Sequence, residues 1–126
     1  MAEKIQSSGK RYDRIAGVVL GSVPLAAALS LATGIPYVMV RKEKKEHGTS
    51  KLIEGDLNEG DNVIVVEDVV TSAGSSISAI ETLRNAGASV CDIISVIDRE
   101  AGGKEALNKM NVSLTSLVKA SDILRT

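Results

Sequence analysis

Residues 63–66, Val-Ile-Val-Val, run without a polar break and are β-branched throughout. A strand that exposes one face to water alternates polar and apolar side chains. A strand that does not alternate is covered on both faces, and that places it inside a mostly parallel sheet. The chain contains no Phe and no Trp, so its core must be built from Val, Ile, Leu and Ala. That composition suits buried strands and alanine-lined helices, as in α/β folds. At 126 residues the chain is long enough for one domain with a real core.

The rest of the pattern agrees. Residues 15–20 (IAGVVL) read as a strand, Gly21 and Ser22 as a turn, and 24–33 as a helix opened by Pro24 and stopped by Gly34. Residues 37–40 (YVMV) form a second strand. Residues 41–57 are polar and charged, and read as a long loop. The strand 62–67 precedes a helix over 75–86, where Ile77, Ile80 and Leu83 fall at helical spacing and Gly87 ends the run. Residues 90–98 form another strand, 103–110 a short helix, 113–118 a last strand and 120–124 a terminal turn. Residues 1–14 are either a short helix or a loose arm. Strands alternating with helices imply a parallel sheet with helices on both faces, which binds ligands at the carboxyl ends of its strands.

The run 63–66 ends in Glu67 and Asp68, then Val69, Val70 and the small residues Thr71, Ser72, Ala73, Gly74, Ser75 and Ser76. A loop of small residues before a helix exposes backbone N–H groups, and the helix N-terminus adds partial positive charge. Together they make an anion site suited to phosphate, with hydroxyls from Thr71, Ser72, Ser75 and Ser76 as further donors. The Gly-Lys-Ser/Thr ending of a Walker loop is absent. Two carboxylates beside a phosphate need other work, and ribose hydroxyls or a hydrated magnesium ion would supply it. The plainer reading is a capped turn followed by a helix start. The acids and the small loop in this order, after a buried strand, favour a sugar phosphate.

VIVVEDVVTSAGSS, 63–76, resembles the ribose-phosphate signature of the type I phosphoribosyltransferases. The resemblance covers roughly residues 14–124 and implies the Rossmann-like core of that family. Within it, Arg-Lys-Glu-x-Lys-x-His-Gly at 41–48 resembles the catalytic loop of the orotate phosphoribosyltransferases. Residues 41–51 carry five basic and two acidic side chains, a local surplus of +3, in a chain whose net charge is −1. A charge run is usually a solvated loop. Here it holds His47, the chain's one histidine, and leaves a strand at the same sheet edge as the phosphate loop. The resemblance implies a cationic lid over departing pyrophosphate. Arg41 and Lys42 would bind the pyrophosphate of phosphoribosyl pyrophosphate (PRPP), Lys45 would carry the main catalytic charge, and His47 would assist. Asp68 and Glu67 would hold the ribose hydroxyls, and residues 69–75 the phosphate. Gly21 and Ser22 would offer N–H groups to pyrophosphate, although many members have a lysine where this chain has Gly21. Thr71 and Arg99 would contact orotate, the arginine by a paired grip on its carboxylate.

The implied reaction is transfer of ribose 5-phosphate from PRPP to orotate, giving orotidine 5'-monophosphate and pyrophosphate. Mg²⁺ would be held mainly through PRPP and water, and a homodimer would let the 41–51 loop act in the neighbouring subunit's site. Fourteen residues precede the first core strand, a short segment in place of the family's N-terminal hood over the base. This leaves two alternatives open: transfer to a purine base, and a non-catalytic protein that senses PRPP. The charge balance makes no case for nucleic acid or an acidic membrane. No apolar stretch reaches the roughly 18 residues of a bilayer span, and residues 1–14 lack a signal peptide's apolar centre. The expectation is a soluble cytoplasmic protein. Cys91 cannot form an internal disulfide and reads as a small core residue.

Overall fold

The computed structural model describes residues 1–41 and 52–123. The helix-and-strand alternation read from the sequence is present. The elements are α1 (Ala2–Ser7), β1 (Arg14–Val18), α2 (Val23–Thr33), β2 (Tyr37–Val40), β3 (Ile53–Glu54) and β4 (Asn62–Val70). They continue with α3 (Gly74–Asn85), β5 (Ser89–Asp98), α4 (Gly103–Lys109), β6 (Ser113–Lys119) and α5 (Ala120–Ile123). Among the described residues the strands form one sheet in the order β3-β2-β1-β4-β5-β6. All neighbours are parallel except β2 and β3.

β4 lies inside the sheet, and its alternate residues feed two cores. Val63 and Val65 point to a cluster with Ala79, Ile80 and Leu83 of α3 and Leu107 of α4. Ile64 and Val66 point to the other, with Ile15 of β1, Ala26 and Leu29 of α2, and Ile5 of α1. Apolar residues on both faces of the strand account for its unbroken run. The N-terminal segment is therefore a helix anchored by buried Ile5.

Three expectations change. β4 does not end at Glu67 but runs on through Asp68 to Val70. Within that extension Glu67 is buried and Asp68 exposed. The segment 41–57 is not all loop, because Ile53 and Glu54 pair antiparallel with Val40 and Met39. Cys91 is exposed rather than in the core. The ladder steps from Val63↔Val90 to Ile64↔Asp92, so Cys91 is the extra residue of a bulge and drops out of the core alternation.

Candidate active site

β1 leads through α2 to β2 on one side, while its neighbour β4 leads through α3 to β5 on the other. Between the carboxyl ends of β1 and β4 the chain thus departs in opposite directions, which opens a crevice. A cavity of about 380 Å³ lies there, lined by residues 18–22 and 67–76.

Glycine sets the two walls. A Cβ on Gly17 of β1 would lie 2.8 Å from the Ala26 Cβ and 3.0 Å from the Ser22 carbonyl oxygen. The absence of a side chain lets α2 begin directly over the strand and folds residues 19–22 into the crevice. The Val19–Leu20 peptide there is cis. On the other wall, a Cβ on Gly103 would lie 2.6 Å from the Thr71 carbonyl oxygen and 2.6 Å from the Val70 side chain. The start of α4 therefore backs the 71–76 loop closely.

That loop turns into α3 through Ala73, which has φ 71 in the left-handed region and no side-chain cap on the helix. The first-turn N–H groups of a helix have no carbonyl partner inside it. Here they open onto the cavity that Ser72, Gly74 and Ser75 line. Such an arrangement at a helix N-terminus is suited to an anion.

The two acids divide. Asp68 is exposed in the crevice, with one carboxylate oxygen accepting the Val69 N–H at 2.8 Å. Glu67 is buried, and its oxygens accept the hydroxyls of Ser22 at 2.6 Å and Ser76 at 2.8 Å. The Ser76 hydroxyl, expected as a further donor to phosphate, is instead spent on Glu67, which makes Ser76 part of the site's frame. A sequence signal exists: Ser76 shares the buried stripe of Ala79, Ile80 and Leu83, where a polar residue needs a partner.

The cavity brings together Gly21, Ser22, Glu67, Asp68, Val69 and Val70, along with residues 71–75. Arg99 is not in its lining. Its N–H donates to the Val70 carbonyl at 2.9 Å, which sets it at the same sheet edge. Buried Asp98 accepts the Glu100 N–H at 2.8 Å and fixes the turn around it. Arg41 also stands outside the lining. It pairs with Glu54 at 3.0 Å, and its buried Nε has no hydrogen-bond partner among the described residues. Lys42, Lys45 and His47 lie outside the described residues.

Residues 1–122 match the phosphoribosyl transferase domain model. The chain belongs to the phosphoribosyltransferase family. It is 49% identical over 121 residues to the orotate phosphoribosyltransferase of Methanoculleus marisnigri, covering 96% of this chain and 71% of that one. The crystal structure of orotate phosphoribosyltransferase from Aeropyrum pernix superposes with a TM-score of 0.83 at 39% identity, over 90% of this chain and 64% of that one. That of the Mycobacterium tuberculosis orotate phosphoribosyltransferase in complex with PRPP gives 0.80 at 29% identity, over 97% and 71%. The chain thus spans roughly two thirds of the length of these relatives.

Proposed function

We propose that this phosphoribosyltransferase transfers the ribose 5-phosphate of PRPP to orotate, releasing pyrophosphate. The observation that carries the reading is the crevice. The 71–76 loop, suited to a phosphate, faces the 18–22 loop across it, and Asp68 stands exposed between them. The Ser22 N–H, expected to meet pyrophosphate, instead donates to the Val18 carbonyl at 3.2 Å, so in this reading that contact passes to Gly21. A molecule with phosphate at one end, pyrophosphate at the other and hydroxyls between fits that arrangement. The relatives' shared name favours orotate over a purine base, and the Lys45 and His47 of the charged loop favour turnover over sensing.

In this reading the 71–76 loop holds the 5'-phosphate through N–H groups and hydroxyls. Asp68 accepts from the ribose hydroxyls, and residues 19–22 receive the pyrophosphate. A ring nitrogen of orotate forms a bond to the anomeric carbon as the bond to the pyrophosphate oxygen breaks, and the nitrogen's proton passes to the departing pyrophosphate or to water. No protein nucleophile is needed. The protein aligns the substrates and stabilises the charge that leaves. Arg99, at the edge of the crevice, grips the orotate carboxylate. Arg41, Lys42, Lys45 and His47 act on the pyrophosphate.

Among the described residues no group of three His, Cys, Asp or Glu side chains is placed to hold a metal. One exposed carboxylate beside a phosphate site suits Mg²⁺ bound largely through substrate oxygens and water. Once bound, the ion supplies positive charge against the pyrophosphate. The outer side of α2 supports a homodimer. Pro24, Ala28, Leu31 and Ala32 form an exposed stripe on a helix with no charged residue, and such a helix is normally covered. The protein works in the cytoplasm.

The deciding experiment is pyrophosphate release from PRPP and Mg²⁺ with orotate, uracil, adenine, guanine, hypoxanthine or xanthine in separate reactions. Release with orotate alone is expected. Release with a purine alone would keep the reaction and overturn the substrate. PRPP binding without release on any base would make the protein a sensor.

A further inference from the structure

The carboxylate of Glu67 joins two loops that are far apart in the chain. Ser22, 1% exposed, closes the 18–22 loop, and its hydroxyl donates to Oε1 of Glu67. The same oxygen of Ser22 accepts the Asp68 N–H at 3.3 Å. Ser76, also 1% exposed, stands in the first turn of α3, directly behind the 71–75 loop, and donates to Oε2. Hydroxyl bonds to a carboxylate are charge-assisted, and losing one in a buried setting is costly. Neither loop can shift without breaking such a bond or carrying the shared carboxylate with it.

Resting on the reading of 18–22 as the pyrophosphate loop and 71–76 as the phosphate loop, we infer that Ser22, Glu67 and Ser76 form a positioning clamp. It couples the two anion sites, so that filling one loop preorganises the other. Glu67, which also lines the cavity, then acts through the two serines in addition to any contact it shares with Asp68. Coupling of this kind is reciprocal: each ligand tightens the other by the same factor. Two anions placed in one crevice repel, so charge alone would give the opposite sign.

Calorimetric titration of the full chain in Mg²⁺ tests the clamp. Inorganic pyrophosphate is titrated with and without saturating ribose 5-phosphate, and the ratio of the two affinities is read. In the wild type, ribose 5-phosphate is expected to tighten pyrophosphate about fivefold or more. In Ser76→Ala that ratio falls to one or below, whatever happens to either ligand alone. Ser76→Thr, which keeps the hydroxyl, restores it. Ser22→Ala cuts the other half of the clamp and gives the same loss, so the test survives a variant that fails to fold. A wild-type ratio of one or below, or an unchanged ratio in the alanine variants, overturns the clamp while leaving both sites standing. Failure of the wild type to bind either anion alone overturns the loop assignment itself, and the clamp with it.

Discussion

Glu67 and Asp68 are adjacent in sequence and opposite in surroundings, because a strand turns successive side chains to opposite faces. The inward one is enclosed by Ser22 and Ser76, and the outward one faces the crevice. A second buried polar contact lies away from the crevice. Tyr12 is buried and donates its hydroxyl to Asp92 at 2.8 Å, while Lys10 also pairs with Asp92 at 3.0 Å. Burial first, and then the bond to the carboxylate, push the Tyr12 pKa up to about 12. The unfolded chain loses that proton near pH 10. Below pH 10 both states keep it, and the contact's contribution is complete. Between pH 10 and 12 only the folded state keeps it, so stability falls as pH rises, by an amount on the order of 2 kcal/mol. Urea midpoints measured from pH 9 to 12 are expected to drop more steeply in the wild type than in Tyr12→Phe. The variant shares every other titrating group. Parallel pH profiles for the two proteins would mean that the Tyr12 proton is not retained by the fold.

At the scale of elements, the site depends on how closely α4 approaches the end of β4. Gly103→Ala puts a methyl group against the Thr71 carbonyl and the Val70 side chain. Overpacking of this kind typically costs about 1–3 kcal/mol. The loop can relieve it only by moving, and a displacement near 1 Å can cost on the order of 10²-fold in rate. A fall in kcat/KM for PRPP of about 10- to 100-fold is expected, with the far-UV spectrum retained. Wild-type kinetics in this variant would show that α4 does not set the loop. Sequence alone did not disclose this contact. The Gly102-Gly103 pair reads as a helix start, and only the packing shows what a side chain would strike. The major elements were legible because their periodicity is strong, as in the 63–66 run and the Ile80–Leu83 stripe. β3 was not, because two residues carry no period and their strand character comes from pairing with β2. The bulge at Cys91 leaves no compositional mark either. The 67–76 wall of the crevice was legible from the order of acids and small residues, whereas Gly21 and Ser22 were placed at it only by the family resemblance. The enclosure of Glu67 was not, since it depends on Ser22, 45 positions away.

The whole molecule poses a question of subunits. The α2 stripe with Leu31, 89% exposed, begins just after the 18–22 loop, so a twofold contact along it would bring two crevices near one interface. If the 41–51 loop of one subunit serves the other's crevice, the catalytic parts of each site come from two chains. Lys45→Ala removes the loop's main catalytic charge in the proposed reading, and Asp68→Asn removes the crevice carboxylate. Each variant alone is expected to lose most of its activity. Mixed at equal amounts under conditions that exchange subunits, half of the dimers pair one variant with the other. With the loop acting across the interface, one site of each mixed dimer has both an intact Lys45 and an intact Asp68, so about a quarter of wild-type activity returns. With the loop acting within its own subunit, every site in the mixture lacks one of the two residues and nothing returns. Adding Leu31→Glu to both variants places charge on the α2 stripe. If that stripe is the contact, light scattering will report monomers and the recovered activity will disappear. If the recovery persists, the interface lies on another face of the molecule.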